Sequence, residues 1–155
     1  MKREDTIEAI TQKFREMSTE TIMFHQAVAD VLGLYITDHK CFDLISRFGA
    51  MPAGRLGELT GLTTGAVTGI IDRLEEAGYV RRTDDPNDRR RTIVEPIKNK
   101  KLERKIKGIF RPLHERMHKL LSSYSDSQLD FLLDATTEFT DQTCEESKKL
   151  RNLRR

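Results

Sequence analysis

One string of residues in this sequence has the types and spacing needed to bind a metal and activate water. The string His114-Glu115-Arg116-Met117-His118 follows the HExxH pattern, in which two histidines on one helix face bind zinc and the glutamate acts as a general base. A peptidase also needs a third ligand and a substrate cleft, yet the 37 residues after His118 contain no histidine. We therefore predict that the chain is not an enzyme and keep a zinc metallopeptidase as a remote alternative.

A cluster of arginines lies between two β-prone segments, residues 79–83 and 91–94. The connecting residues, Asp84-Asp85-Pro86-Asn87-Asp88-Arg89-Arg90, are of the types that form turns, so the segment predicts a hairpin with cations at its tip. Arginine fits the narrow minor groove of DNA, and neighbouring aspartates could hold the guanidinium groups in place. The alternative is an exposed salt-bridge cluster that contributes little.

Two short helices joined by a glycine turn precede the hairpin. The first is predicted over residues 53–60, with Leu56 and Leu59 on its apolar side and Gly61 as the turn. Either Thr63 or Thr64 can cap the second helix, which places Gly78 just past its end. The apolar positions of the second helix fall at helical spacing: Val67, Ile70, Ile71 and Leu74.

The opposite face of the second helix is small and hydroxylic, which suits close approach to a DNA groove. A step of about 100° per residue places five residues away from the apolar stripe: Gly65, Thr68, Gly69, Asp72 and Arg73. Threonine can contact base edges or phosphates, and glycine allows the helix backbone to come near the duplex. An ordinary surface helix is the competing interpretation, because helix-turn-helix patterns are short.

Residues 59–91 resemble the MarR (multiple antibiotic resistance regulator) family of bacterial winged-helix transcription factors. The resemblance rests on a helix pattern and a wing pattern in the family's order: Val67, Ile71, Asp72, Arg73, Leu74, Glu75, Gly78, Val80 and Arg82, then Asp85-Pro86-Asn87-Asp88-Arg89-Arg90. It implies a mainly α fold with a small β-hairpin wing, within a single MarR-type domain. A winged helix-turn-helix lobe would span residues 37–97, and residues 1–33 and 99–155 would form a helical dimerisation region.

The resemblance also implies roles for individual residues. Arg90 would enter the minor groove, with Asp88 as its orienting partner. The predicted DNA-binding set combines the helix face and the wing: Thr63, Thr64, Gly65, Thr68, Gly69, Arg73, Asp88, Arg89 and Arg90. The chain departs from the family at Pro96-Ile97, where the family has Leu-Thr. Proline cannot donate a ladder hydrogen bond, so we expect the strand to end early and Asn99 to cap the next helix.

Members of the family often bind a small organic effector that weakens operator affinity, and some sense metal ions. The candidate effector residues lie on the three helices that surround the family's pocket: His25, His39, Phe42, Phe110 and His114. No cofactor is predicted. A zinc-type sensor that uses His114 and His118, with His39 as a further candidate, is the alternative within the same fold. Aromatic residues at helical spacing are more often core, and a surface histidine pair usually binds nothing.

The outer segments predict long amphipathic helices that need a partner. Apolar residues recur three and four apart over residues 4–32, before Gly33, and Ser125 and Gln128 form a capping box at the start of a last helix. The resemblance implies that the first and last helices of two chains interlock. A homodimer would present two recognition helices about one DNA turn apart, which implies a pseudo-palindromic operator. A monomeric bundle is the alternative.

The composition of the chain limits the kinds of partner that it can bind. The 155 residues carry a net charge of only +2, and between residues 52 and 97 acids slightly outnumber cations, so DNA affinity must come from the placement of charge. The N-terminus lacks the apolar core of a signal peptide and no stretch is long enough to span a membrane, which predicts a cytoplasmic protein without membrane contacts. Cys41 and Cys144 lack metal-type spacing, and we expect both to be buried and inert. We predict a DNA-binding repressor released by a small molecule.

Overall fold

The computed structural model describes residues 2–85, 88 and 91–153. In chain order the elements are α1 (Arg3–Leu32), α2 (Ile36–Phe48), β1 (Met51–Pro52), α3 (Ala53–Thr60), α4 (Thr64–Glu76), β2 (Val80–Asp84), β3 (Thr92–Pro96), α5 (Lys100–Leu121) and α6 (Asp126–Asn152). The chain divides into two compact units, Met1–Lys98 and Asn99–Arg155. The predicted mainly α fold with a small sheet is confirmed. None of the helices in the described residues is both long and apolar enough to cross a membrane.

Local sequence signals set the ends of the helices in the first unit. α1 ends at Gly33, whose φ of 71° lies in the left-handed region that glycine adopts without strain. The Thr63 hydroxyl accepts a hydrogen bond from the Ala66 N–H at 3.3 Å and so caps α4. Gly78, with φ of 76°, follows α4 and turns the chain into β2. The predicted bounds of α3, the Thr63 cap of α4 and the position of Gly78 just past its end are confirmed.

The core of the first unit packs the C-terminal part of α1, α2, α3 and α4 against one face of the sheet. Leu56, Leu74 and Val80 are fully buried. The α4 stripe at residues 67, 70, 71 and 74 is buried as predicted, and each such side chain contributes about 1.5–3 kcal/mol relative to an exposed position. The Tyr79 hydroxyl donates to the Leu32 carbonyl at 2.8 Å, which links the α4–β2 turn to the end of α1.

The sheet differs from the predicted hairpin in two respects. Its order is β1-β3-β2 with antiparallel pairing throughout, and β1, of two residues, was not predicted. The expectation that β3 ends before Pro96 is wrong, because Pro96 lies opposite Val80 in the ladder. The Ile97 N–H donates to the Tyr79 carbonyl at 3.0 Å, which makes Pro96 and Val80 a pair without mutual hydrogen bonds. Pro96 therefore loses no bond to β2 by lacking an N–H.

The second unit consists of α5 and α6. The Asn99 side chain accepts from the backbone N–H groups of Lys101 and Leu102 at 3.0 and 3.1 Å, so the predicted cap of α5 is confirmed. Ser125 and Gln128 form the predicted capping box of α6. Neither helix has a buried residue among those described, and each exposes large apolar side chains: Leu113, Met117, Leu120, Phe131, Leu133 and Phe139.

The two cysteines have different environments. Cys41 is buried, and burial together with the nearby Asp38 charge raises the pKa of its thiol to about 11. Cys144 is exposed on α6, so the expectation that both thiols are buried is wrong. None of the described residues of α6 is buried. Helical periodicity alone could not predict which face of this helix would be covered.

A thiol titration tests this difference. At neutral pH we expect an aromatic disulfide reagent to modify one thiol per native chain and two in denaturant, because the Cys41 thiol is neutral and shielded. The Cys144→Ser variant is the control and should show no rapid reaction when native. Rapid modification of Cys41 in that variant would contradict the buried environment of α2.

Candidate DNA-binding surface

The outward face of α4 carries the small and hydroxylic residues that the sequence singled out. Thr63, Thr64, Gly65 and Thr68 are exposed, and Gly69 is half-exposed. The Thr68 hydroxyl donates to the Thr64 carbonyl at 2.9 Å, which uses its proton within the helix and leaves its lone pairs to accept from an external donor. The face can therefore offer acceptors and methyl groups to a duplex.

Packing does not explain why α4 has glycine at positions 65 and 69. A Cβ atom added to Gly65 would have no heavy atom within 4 Å, and one added to Gly69 would meet only the Arg73 Nη1 at 3.6 Å, an ordinary contact. An interior helix glycine costs about 0.5–1 kcal/mol relative to alanine. Because nothing within the first unit requires these residues to be small, their size favours close approach of an external molecule.

Arg73 joins α4 to α2. Its Nε donates to the Asp38 Oδ2 and its Nη2 to the Asp38 Oδ1, both at 2.7 Å, and Asp38 is only 1% exposed. The hydrogen bond to Asp38 raises the pKa of Arg73. The guanidinium carbon also lies 5.4 Å from the centre of the Tyr35 ring, a cation–π contact. Two of the Arg73 nitrogens therefore hold α4 against α2. The predicted contact of Arg73 with DNA stays a prediction.

Arg82 joins α4 to the base of the wing. From β2, its Nη2 donates to the Asp72 Oδ1 and its Nη1 to the Glu75 Oε2, each at 2.5 Å. The Arg82 backbone N–H also donates to the Glu75 Oε1 at 2.9 Å. This backbone hydrogen bond is the largest cause that lowers the pKa of Glu75, and the side-chain hydrogen bond from Arg82 lowers it further. The sequence pointed to Arg82 only as part of a family pattern. No local signal indicated that its partners lie on α4.

The wing carries further ion pairs. The Arg81 Nε donates to the Glu95 Oε1 at 2.6 Å, across a pair of residues that face each other in the ladder. The Asp88 carboxylate lies 3.5 Å from the Arg91 Nε. Arg89 and Arg90 lie outside the described residues, so the predicted pairing of Asp88 with Arg90 stays a prediction.

The four histidines form two pairs. The His25 Nδ1 and the His39 Nε2 are 3.1 Å apart between α1 and α2, and burial lowers the pKa of both side chains. His114 and His118 are exposed on α5, with their ring centres 6.5 Å apart. Within the described part of the chain, no group of three or more histidine, cysteine, aspartate or glutamate side chains is arranged to hold a metal ion.

The two aromatic effector candidates have different surroundings. Phe42 is buried in the core of the first unit, with its ring 5.0 Å from that of Tyr79 in an edge-on contact. Phe110 is half-exposed on α5. The packing of Phe42 within the first unit gives it a structural role, and effector contact by either residue stays a prediction.

Comparison with known proteins agrees with the geometry of α4 and the sheet. The model of the MarR family matches residues 34–92. The uncharacterized HTH-type transcriptional regulator YcgE of Bacillus subtilis (strain 168) is 42% identical over 149 residues, which are 96% of each chain. The chain belongs to the MarR family. As a MarR-family protein it is a DNA-binding transcriptional regulator and not an enzyme, so the HExxH string marks no zinc peptidase.

Solved structures show the same fold. The crystal structure of Streptococcus pneumoniae FabT in complex with DNA superposes with a TM-score of 0.69 at 17% identity, covering 90% of this chain and 98% of that one. A MarR transcriptional regulator from Methanosarcina mazei Go1 gives a TM-score of 0.64 at 22% identity, with 89% and 98% covered. The winged helix-turn-helix architecture of this MarR-family regulator is therefore shared with both proteins.

Proposed function

We propose that this MarR-family regulator is a repressor that binds a pseudo-palindromic operator as a homodimer, and that a small-molecule effector releases it. The observation that carries the proposal is the outward face of α4, where packing within the first unit does not require glycine at either position 65 or position 69. Arg73 and Arg82 hold that face between α2 and the wing. We further propose that it acts in the cytoplasm and enters the major groove with α4 and the minor groove with Arg90.

Exposed apolar surface supports the homodimer. α1 exposes Ile7, Ile10 and Met17 near its N-terminal end, and α5 and α6 expose apolar residues along their lengths. Monomeric proteins rarely leave such surface in contact with water, so a second copy of the chain is the occupant we propose. Two-fold symmetry would then present two recognition helices about 34 Å apart, the spacing of successive major grooves on one side of the duplex.

A gel-shift titration against the DNA upstream of the chain's own gene tests this proposal. We expect nanomolar binding to a probe with two inverted half-sites and much weaker binding when five base pairs inserted between them rotate one half-site by half a turn. Arg90→Ala should weaken binding at least tenfold and reduce its salt dependence, because the variant lacks a cationic side chain that would contact a phosphate or the minor groove. Equal binding to both probes would contradict a symmetric dimer, and wild-type affinity of the Arg90 variant would contradict the wing assignment.

A zinc-responsive regulator of the same fold is the second candidate. It is favoured by the position of His114 and His118 on one side of α5, with their ring centres 6.5 Å apart. The same titration with added zinc, with a chelator and with a panel of phenols separates the two candidates. If zinc is the signal, His114→Ala should abolish the zinc response and leave binding of the metal-free protein nearly unchanged.

A further inference from the structure

The recognition helix carries two carboxylates close to the face that we assign to DNA. Asp72 follows Gly65 and Thr68 at helical spacing on the outward side of α4, and its side chain is 60% exposed. Glu75, one turn later, is partly exposed. Phosphates on both strands would meet these charges as α4 entered a groove, and like charges brought together at an interface oppose binding. A carboxylate on this face therefore needs a compensating cation.

Arg82 is that cation. Its two terminal nitrogens reach both carboxylates at 2.5 Å, and its Nη2 also lies 3.4 Å from the Thr68 carbonyl. Only 29% of the Arg82 side chain is exposed, so its charge is directed at α4 rather than at the surroundings. The planar fork of a guanidinium can serve two carboxylates at once, whereas an ammonium is a single point charge.

We propose that Arg82 is a positioning residue for DNA recognition: it masks the charges of Asp72 and Glu75 and fixes the wing strand to α4, without itself contacting DNA. This inference rests on the proposed binding of DNA by α4. It explains why the Arg82 guanidinium, at the base of the wing, is bonded to carboxylates of α4. It also separates Arg82 from the wing-tip arginines, whose proposed role is direct contact with the duplex.

The test measures operator affinity by fluorescence anisotropy over a range of salt concentrations. We expect Arg82→Gln to weaken binding at least tenfold at low salt, because the two carboxylates then repel phosphate, and we expect the loss to shrink at higher salt, which screens that repulsion. The triple variant Arg82→Gln, Asp72→Asn, Glu75→Gln should recover binding to within about threefold of wild type, since its carboxylates are gone. Thermal unfolding of each variant shows whether a loss of affinity reflects loss of folding.

Two further variants keep the outcome decisive. Arg81→Gln, on the same strand, is the matched control: its side chain is 65% exposed and pairs with Glu95 on the sheet, so we expect affinity near that of wild type. Asp72→Asn with Glu75→Gln, in the presence of Arg82, should bind DNA at least as tightly as wild type and with a steeper salt slope.

Two results would overturn the inference. A triple variant as weak as Arg82→Gln, with the salt slope reduced by about one, would make Arg82 a phosphate contact. Wild-type affinity of a folded Arg82→Gln would remove its role altogether. Failure of the wild-type protein to bind the operator would instead count against the proposed function itself.

Discussion

Replacing Arg73 with alanine is expected to lower the free energy of unfolding by about 2–4 kcal/mol, because the buried Asp38 carboxylate loses both hydrogen bonds of its guanidinium partner. A fully buried pair broken in this way costs about 3–5 kcal/mol. The lower range applies here because 45% of the Arg73 side chain is exposed, so water can partly replace it. Urea unfolding followed by circular dichroism measures the change.

Two comparisons show whether the Arg73 effect comes from the buried carboxylate. Arg55→Ala also removes an ion pair, with Glu58 at 2.8 Å, but both side chains are exposed and we expect a change of less than about 1 kcal/mol. Adding Asp38→Ala to Arg73→Ala should recover part of the lost stability, because the uncompensated charge is removed. A loss below about 1 kcal/mol for Arg73→Ala alone would show that the pair does not anchor α4.

Introducing leucine at Gly69 is expected to weaken operator binding by about a hundredfold or more without destabilising the protein. A Cβ at this position meets only the Arg73 Nη1, at 3.6 Å, so the larger side chain must project outward, into the space that we assign to the groove. The gap between specific and non-specific DNA affinity is typically about a thousandfold or more, which leaves room for a loss of this size. Anisotropy titration gives the affinity and thermal unfolding gives the stability.

Two further variants test the role of Gly69: alanine at position 69, and leucine in place of a glycine outside α4. Gly69→Ala should raise the free energy of unfolding by about 0.5–1 kcal/mol, since alanine has the higher helix propensity, and yet lower DNA affinity. Gly108→Leu is the matched control, because Gly108 is an exposed glycine inside α5 whose added Cβ would have no neighbour within 4 Å. Unchanged DNA affinity in Gly69→Leu would contradict the use of the α4 face.

The parts of the fold that the sequence predicted are those governed by neighbours along the chain. A cap such as Thr63 or Asn99 bonds to residues two or three positions away, and Gly78 supplies a backbone conformation for its own peptide unit, so composition at those positions was enough. The strand β1 could not be predicted in this way, because two residues show no periodicity and their pairing partner, β3, lies about forty residues away.

The two arginine contacts around α4 were missed for a related reason. Arg73 and Asp38 are 35 residues apart in the sequence, and an exposed position on a helix wheel cannot show that a long side chain bends back to a buried carboxylate. These contacts explain how residues 52–97 accommodate their slight excess of acidic side chains. Asp72, Glu75 and Glu95 lie against arginines of the same unit, so much of its negative charge is compensated internally.

Pro96 also affects how the sheet meets other chains. The backbone nitrogen of residue 96 points away from β2, and β1 pairs only with Ile93 and Val94. A residue other than proline at position 96 would therefore offer a backbone N–H donor beyond the end of β1. A donor of that kind can template pairing with a strand from another molecule. Proline removes it, and the short β1 covers the preceding residues. Proline at position 96 therefore leaves β3 without a backbone donor that a strand of another molecule could use beyond the pairing with β1.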